Sequence, residues 1–158
     1  NAQFHIQEQE LQFATGRYMR YPQLQHAFEI DDICGIVRLN YEQKVTFYNG
    51  DDQLSAGLRL HCTGGHSAGL QFVSVHTKRG WVVLASDASH YYEHMESYRP
   101  FTIAFHVGEM MESFDKLKKT APSLSHIIPG HDPRVMEKYP AVEGQDGLMV
   151  RLDESPKE

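Results

Sequence analysis

The chain has 158 residues, enough for one domain with a buried core, and a net charge of −6 with histidine counted neutral. Its composition is that of an ordinary globular protein, and no basic patch stands out, which argues against nucleic acid or an anionic membrane as the main partner. The longest apolar run, Trp81-Val82-Val83-Leu84-Ala85, is far shorter than the ~18 residues of a spanning helix. No leader peptide is visible. The two cysteines, Cys34 and Cys62, lie outside any Cys-x-x-Cys pattern and are expected as reduced, buried thiols of a cytoplasmic protein. Ten histidines are many for this length. They favour a metal site and also multiply accidental histidine motifs.

Taken in chain order, residues 5–15 read as a helix of mixed polarity that closes near Gly16. Pro22 opens a second helix. Asp31-Asp32 opens a third, running to about Leu39, with its acids in the favourable first turn. Val45–Tyr48 reads as a short strand ending at the turn signal Asn49-Gly50. Residues 57–62 alternate Leu58, Leu60 and Cys62 against Arg59 and His61, the period of a half-buried strand. Residues 70–77 and 81–86 form a hairpin through Lys78-Arg79-Gly80. Residues 89–97 suit a short helix. Residues 108–120 carry an apolar stripe of Met110, Met111, Phe114 and Leu117, stopped by Pro122. Residues 126–128 form a short buried strand and 147–152 a last one, and the tail after Asp153 is expected to be mobile.

His66, Asp87 and His131 each fall just past the end of a predicted strand. They sit in Cys62-Thr63-Gly64-Gly65-His66-Ser67, Ala85-Ser86-Asp87-Ala88 and Ile127-Ile128-Pro129-Gly130-His131-Asp132-Pro133. Imidazole and carboxylate are ligands that zinc, manganese and iron accept. If strands 57–62, 70–77 and 81–86 meander, the first and third end at the same sheet edge. The crossover helix at 108–120 brings strand 126–128 in parallel, so His131 emerges there too. Singly, each residue is as readily a turn or cap residue; together they point to metal. Asp132 could orient an imidazole, though shaping the Asp-Pro turn is the simpler reading. His90-Tyr91-Tyr92-Glu93-His94 matches the His-x-x-Glu-His pattern of one zinc peptidase group, against the plainer reading of a polar helix face. No phosphate loop, dinucleotide fingerprint or Gly-x-Ser-x-Gly elbow is present.

The three ligand segments, with Ser67-Ala68-Gly69-Leu70-Gln71 and Ser89-His90-Tyr91-Tyr92 extending them, resemble the metallo-β-lactamase superfamily, in its N-acyl homoserine lactonase-like branch. The resemblance runs over residues 1–153, leaving 154–158 as tail. It implies an α/β chain forming the C-terminal half of a four-layer αβ/βα sandwich with a two-metal site. His66 would complete one metal's histidine set, Asp87 would bridge both metals, and His131 would bind the second. The ions would be divalent, with zinc foremost and manganese, iron or cobalt as other candidates. The family's remaining ligands come from an earlier His-x-His-x-Asp-His motif, which this chain lacks, so a missing N-terminal half is the expected partner.

The activity implied is ring opening of an N-acyl homoserine lactone or similar lactone by a hydroxide generated between the metals, with Asp87 relaying a proton. Relatives often place a tyrosine three residues after the bridging aspartate to polarise the substrate carbonyl; here His90 stands there, followed by Tyr91. Both are expected to face substrate, with His90 donating to the oxyanion from the lip of a helix that starts near Ser89. Other ester or thioester substrates are alternatives within the superfamily. A non-catalytic fragment or interaction domain is the alternative outside it, and the isolated chain is expected to be inactive.

Overall fold

The computed structural model describes residues 2–145 and 147–157. Its strands are β1 (Phe4–Gln7), β2 (Val45–Tyr48), β3 (Asp52–Ser55), β4 (Leu58–Cys62), β5 (Gln71–Thr77), β6 (Gly80–Leu84) and β7 (Ile127–Ile128). Its helices are α1 (Glu8–Ala14), α2 (Pro22–Gln25), α3 (Ile30–Tyr41), α4 (Tyr92–Ser97), α5 (Val107–Thr120) and α6 (Arg134–Lys138). β1 and β2 pair in parallel, and the other strands form a sheet in the order β3-β4-β5-β6-β7. Buried Gln7 links the two sheets: its side-chain amide donates to Gly50 O and to Gln71 Oε1, each at 3.1 Å.

β4, β5 and β6 run as an antiparallel meander, and β7 joins β6 in parallel through Val83↔Ile127 and Leu84↔Ile128. The C-terminal ends of β4, β6 and β7 therefore share one edge. The core lies where the sheet meets α5 and α4. Phe72 and Val83 pack with Met110, Phe114 and Leu117, which recur at helical spacing, and with Tyr92 and Met95. Each such side chain contributes about 1.5–3 kcal/mol when removed from water.

Several elements depart from the sequence expectation. The helix at 5–15 starts only at Glu8, because Phe4–Gln7 extends along Val45–Tyr48, a partner about forty residues away that local pattern does not reveal. β3 was not expected. Its single apolar residue, Leu54, gives no alternation, and the strand exists by pairing antiparallel with β4. The strand at 147–152 reduces to one bridge, Ala141↔Val150, with Leu148 and Met149 exposed. The helix at 89–97 starts at Tyr92, after a short 3-10 turn at Ser86–Ala88 and an extended stretch. Cys34 is exposed and Cys62 half-buried, so neither is a buried thiol.

Candidate metal centre

The loop after β4 is shaped by two glycines. Gly64 and Gly65 have φ of +76° and +93°, values that only glycine adopts without strain. Thr63 N and Gly64 N both donate to Leu70 O, which closes the loop. The start of α5 sits directly on it. A Cβ on Gly65 would lie 2.6 Å from Met110 N, while Phe105 N donates to His66 O and His106 N to Gly65 O. On the other side, the Glu10 carboxylate of α1 accepts from Gly69 N at 2.8 Å. Burial raises the Glu10 pKa, partly offset by hydrogen bonds from Ser67 and Gly69.

After β6, Ala85 N donates to Ile128 O, and Ser86 takes a left-handed φ of +49° that turns Asp87 out over the edge. After β7, Gly130 N donates to Ser89 O and His131 N to His90 O, so these two loops are laced together through their backbones. Asp132 accepts from Tyr92 N and Arg134 N, each at 3.0 Å. Its carboxylate thus fixes the starts of two helices and, among the described residues, bonds to no imidazole, in keeping with the turn reading.

These junctions bring His66, Asp87 and His131 together. His131 Nε2 is 2.7 Å from Asp87 Oδ1, and His66 Nε2 is 4.0 Å from Asp87 Oδ2. His90 joins them, with Nε2 3.5 Å from Asp87 Oδ1. One ligand nitrogen of His66, one of His90 and a carboxylate oxygen of Asp87 all lie within 4.8 Å of one another. This donor set suits a divalent transition metal. The Nδ1 atoms of His66 and His90 are buried without a hydrogen-bond partner among the described residues.

His90 does not stand at a helix lip. It is 6% exposed, and its ring stacks on Phe101 at 4.1 Å and on His131 at 5.0 Å. Desolvation lowers its pKa to about 4 against the pull of Asp87, so the imidazole is neutral near pH 7. Tyr91 is 39% exposed on the wall of the same cleft, which has a volume of 310 Å³. Phe101, Ile103 and His26 also line it, and the sequence reading missed all three. They come from loops without a ligand-type pattern, so no signal marked them. A larger groove of 480 Å³ between α1 and α3 is lined mainly by apolar side chains such as Ile30, Ile33 and Val37, and none of the clustered histidines reaches it.

The His-x-x-Glu-His pattern does not assemble. His90 precedes α4, and the mostly exposed Glu93 carboxylate pairs with Arg99 at 3.3 Å. His94 stays near the cluster, its ring centroid 6.0 Å from that of His90, and burial lowers its pKa.

No family model matches the chain. A curated N-acyl homoserine lactonase from a Bacillus species is 32% identical over 114 residues, which is 71% of this chain and 44% of that protein. A solved N-acyl homoserine lactone hydrolase with the product N-hexanoyl-L-homoserine at its catalytic metal centre superposes with a TM-score of 0.68 at 27% identity, over 87% of this chain and 50% of that one. AiiA from B. thuringiensis, in a variant with N-decanoyl-L-homoserine bound at its active site, gives the same score, identity and coverage. A dizinc quorum-quenching lactonase aligns at TM-score 0.63 and 16% identity over 84% of this chain and 49% of that one, a likeness of fold. The chain thus spans about half the length of the relatives it matches.

Proposed function

The chain belongs to the N-acyl homoserine lactonase-like branch of the metallo-β-lactamase superfamily, and from that premise we propose that it carries half of the active site of a metal-dependent hydrolase of lactonase type. The observation that carries this reading is the convergence of His66, His90 and His131 on the one carboxylate of Asp87. In the complete enzyme two divalent ions, zinc foremost, would polarise an ester carbonyl and acidify water.

His66 would hold one ion, His131 the other, and Asp87 both. Asp87 would also pass a proton to the alkoxide as the ring opens. His90 and Tyr91 form the wall against which the substrate carbonyl would lie. Phe101 and Ile103 give the cleft an apolar side that would exclude water and meet an acyl chain. The substrate class is a small lactone or ester, by analogy with relatives that hold N-acyl homoserine products. The remaining ligands would come from a His-x-His-x-Asp-His segment, and without it the 158 residues are expected to turn over little or no substrate.

The test compares the 158-residue chain with a version extended or complemented by such a segment, each assayed on an N-acyl homoserine lactone with zinc, manganese or cobalt. Turnover is expected only in the second, and Asp87→Asn or His131→Ala should abolish it. Full turnover by the 158 residues alone, or by the Asp87→Asn variant, overturns the proposal.

A further inference from the structure

We propose that His90 is itself a metal ligand, so that His66, Asp87 and His90 bind one divalent cation within this chain, independently of any upstream segment. The inference rests on the metal-dependent reading above and departs from it at one position. Three residues after Asp87 this chain carries an imidazole, and that imidazole lies beside His66, Asp87 and His131.

Proximity is the first argument. The candidate ligand atoms of His66, Asp87 and His90 lie within 4.8 Å of one another. His131 reaches the same carboxylate through Oδ1 but is the more exposed partner, its side chain 58% accessible against 8% for His90. The more enclosed position therefore belongs to His90.

Rigidity is the second. The His90 backbone carbonyl accepts from His131 N at 2.9 Å, the preceding Ser89 carbonyl accepts from Gly130 N at 3.0 Å, and Ser89 Oγ donates to Tyr91 O at 2.9 Å. The ring is clamped between Phe101 and His131, with interplanar angles of 22° and 21°, and meets His66 edge-on at 60°. A side chain so held keeps its nitrogen in place before any ion arrives, which is what a ligand needs.

The plainer reading, a buried histidine satisfied by its neighbours, fits less well. Nδ1 has no partner among the described residues, and Nε2 has only the Asp87 carboxylate at 3.5 Å, beyond ordinary hydrogen-bond length. A cation between His66, Asp87 and His90 would give Nε2, the nitrogen that faces Asp87, a close partner, and would leave Nδ1 as it is. A nitrogen that binds a metal carries no proton to give to an oxyanion, so the donor role falls to the more accessible Tyr91.

Cobalt and zinc binding to the 158-residue chain test this without reference to turnover. Cobalt is read by its visible absorption, and zinc by competition with a chromophoric chelator. One ion per chain is expected. His90→Phe keeps the stack on Phe101 and removes the nitrogen, so it should retain the circular dichroism of the parent and lose affinity about 100-fold or more, since even partners one bond removed from a metal cost about 10–100-fold. His94→Ala should bind as the parent does. If His66→Ala and Asp87→Ala weaken binding while His90→Phe does not, His90 is not a ligand and this inference falls, although the metal-dependent reading survives. If the parent binds no ion, this inference falls alone, since the metal-dependent reading draws its remaining ligands from another segment and keeps its own test by turnover; if the parent binds an ion and no variant changes that binding, both fall.

Discussion

Gly130 is the residue through which the β7 loop approaches the β6 loop, and a single methyl group there tests how the site is built. A Cβ on Gly130 would lie 2.6 Å from Ser86 O and 2.9 Å from Ser86 C. To reach the 3.4 Å of ordinary contact, one of the two chains must retreat by about 0.8 Å. Ser86 is poorly able to yield. Its φ of +49° is already the unfavourable left-handed one, and Ala85 N is fixed to Ile128 O at 2.8 Å. The Gly130 side moves instead and takes His131 with it. A shift of that size along the His131–Asp87 vector would stretch the 2.7 Å hydrogen bond to about 3.5 Å, the limit of such a bond.

Overpacking of this kind costs about 1–3 kcal/mol. For a chain of this length that is roughly 2–12 °C of melting temperature. Gly35 is the control. It lies within α3, has no atom within 4 Å of an added Cβ and no left-handed φ, so Gly35→Ala should stabilise by about 0.5–1 kcal/mol. Thermal melts of both variants, followed by far-ultraviolet circular dichroism, decide the matter. If Gly130→Ala melts at or above the parent, as Gly35→Ala should, the close approach to Ser86 does not constrain this loop and the account of how His131 is placed is wrong.

At the opposite end of the sheet, Arg79 donates to Ser125 O at 2.6 Å and to Tyr139 Oη at 3.4 Å. Arg79→Ala should cost about 1.5–3 kcal/mol in denaturant unfolding while leaving cobalt affinity as in the parent; a loss of affinity would mean that this end of the sheet is coupled to the cleft. Partial burial alone would raise the Asp51 pKa, but Lys116, His61 and Cys62 N together outweigh it and lower it below 3.8. A depressed carboxylate stabilises the fold above its unfolded pKa, and that stabilisation fades as pH falls through the lower folded value. Asp51→Asn should therefore destabilise the chain near neutral pH and by progressively less below about pH 4; a difference in melting temperature that grows on acidification contradicts this.

The convergence of His66, Asp87 and His131 at one candidate site was legible because these residues follow strands whose signals are local. Alternation marks β4, the apolar run marks β6, and the stripe on α5 predicts the crossover that makes β7 parallel. Three strand ends at one edge then follow from topology alone. What escaped depends on partners distant in sequence. β1 exists through β2 and β3 through β4, and neither carries a pattern strong enough to stand by itself. The start of α4 is a sharper case. Ser89 looks like a helix cap, yet the first amide of the helix, that of Tyr92, is taken by Asp132 forty residues later. That displacement of three residues moves His90 from a helix lip into the cluster. A local reading of Ser89-His90-Tyr91 could not have placed it there.

Charge bounds how many ions these residues can serve. Among the described residues, Asp87 is the only carboxylate lining the cleft. The nearby acids are committed elsewhere: Asp132 to the amides of Tyr92 and Arg134, Glu10 to Gly69 N, and Glu93 to Arg99. One carboxylate supplies one negative charge, half of what a single divalent cation carries. A second cation a few ångströms away would add repulsion that no further anion here relieves. A two-metal centre on this scaffold therefore needs further anions, from acidic ligands on another segment or from a solvent hydroxide between the ions, more than a one-metal centre does. The carboxylate count, more than the histidine count, separates what these residues can hold by themselves from what the complete site would hold.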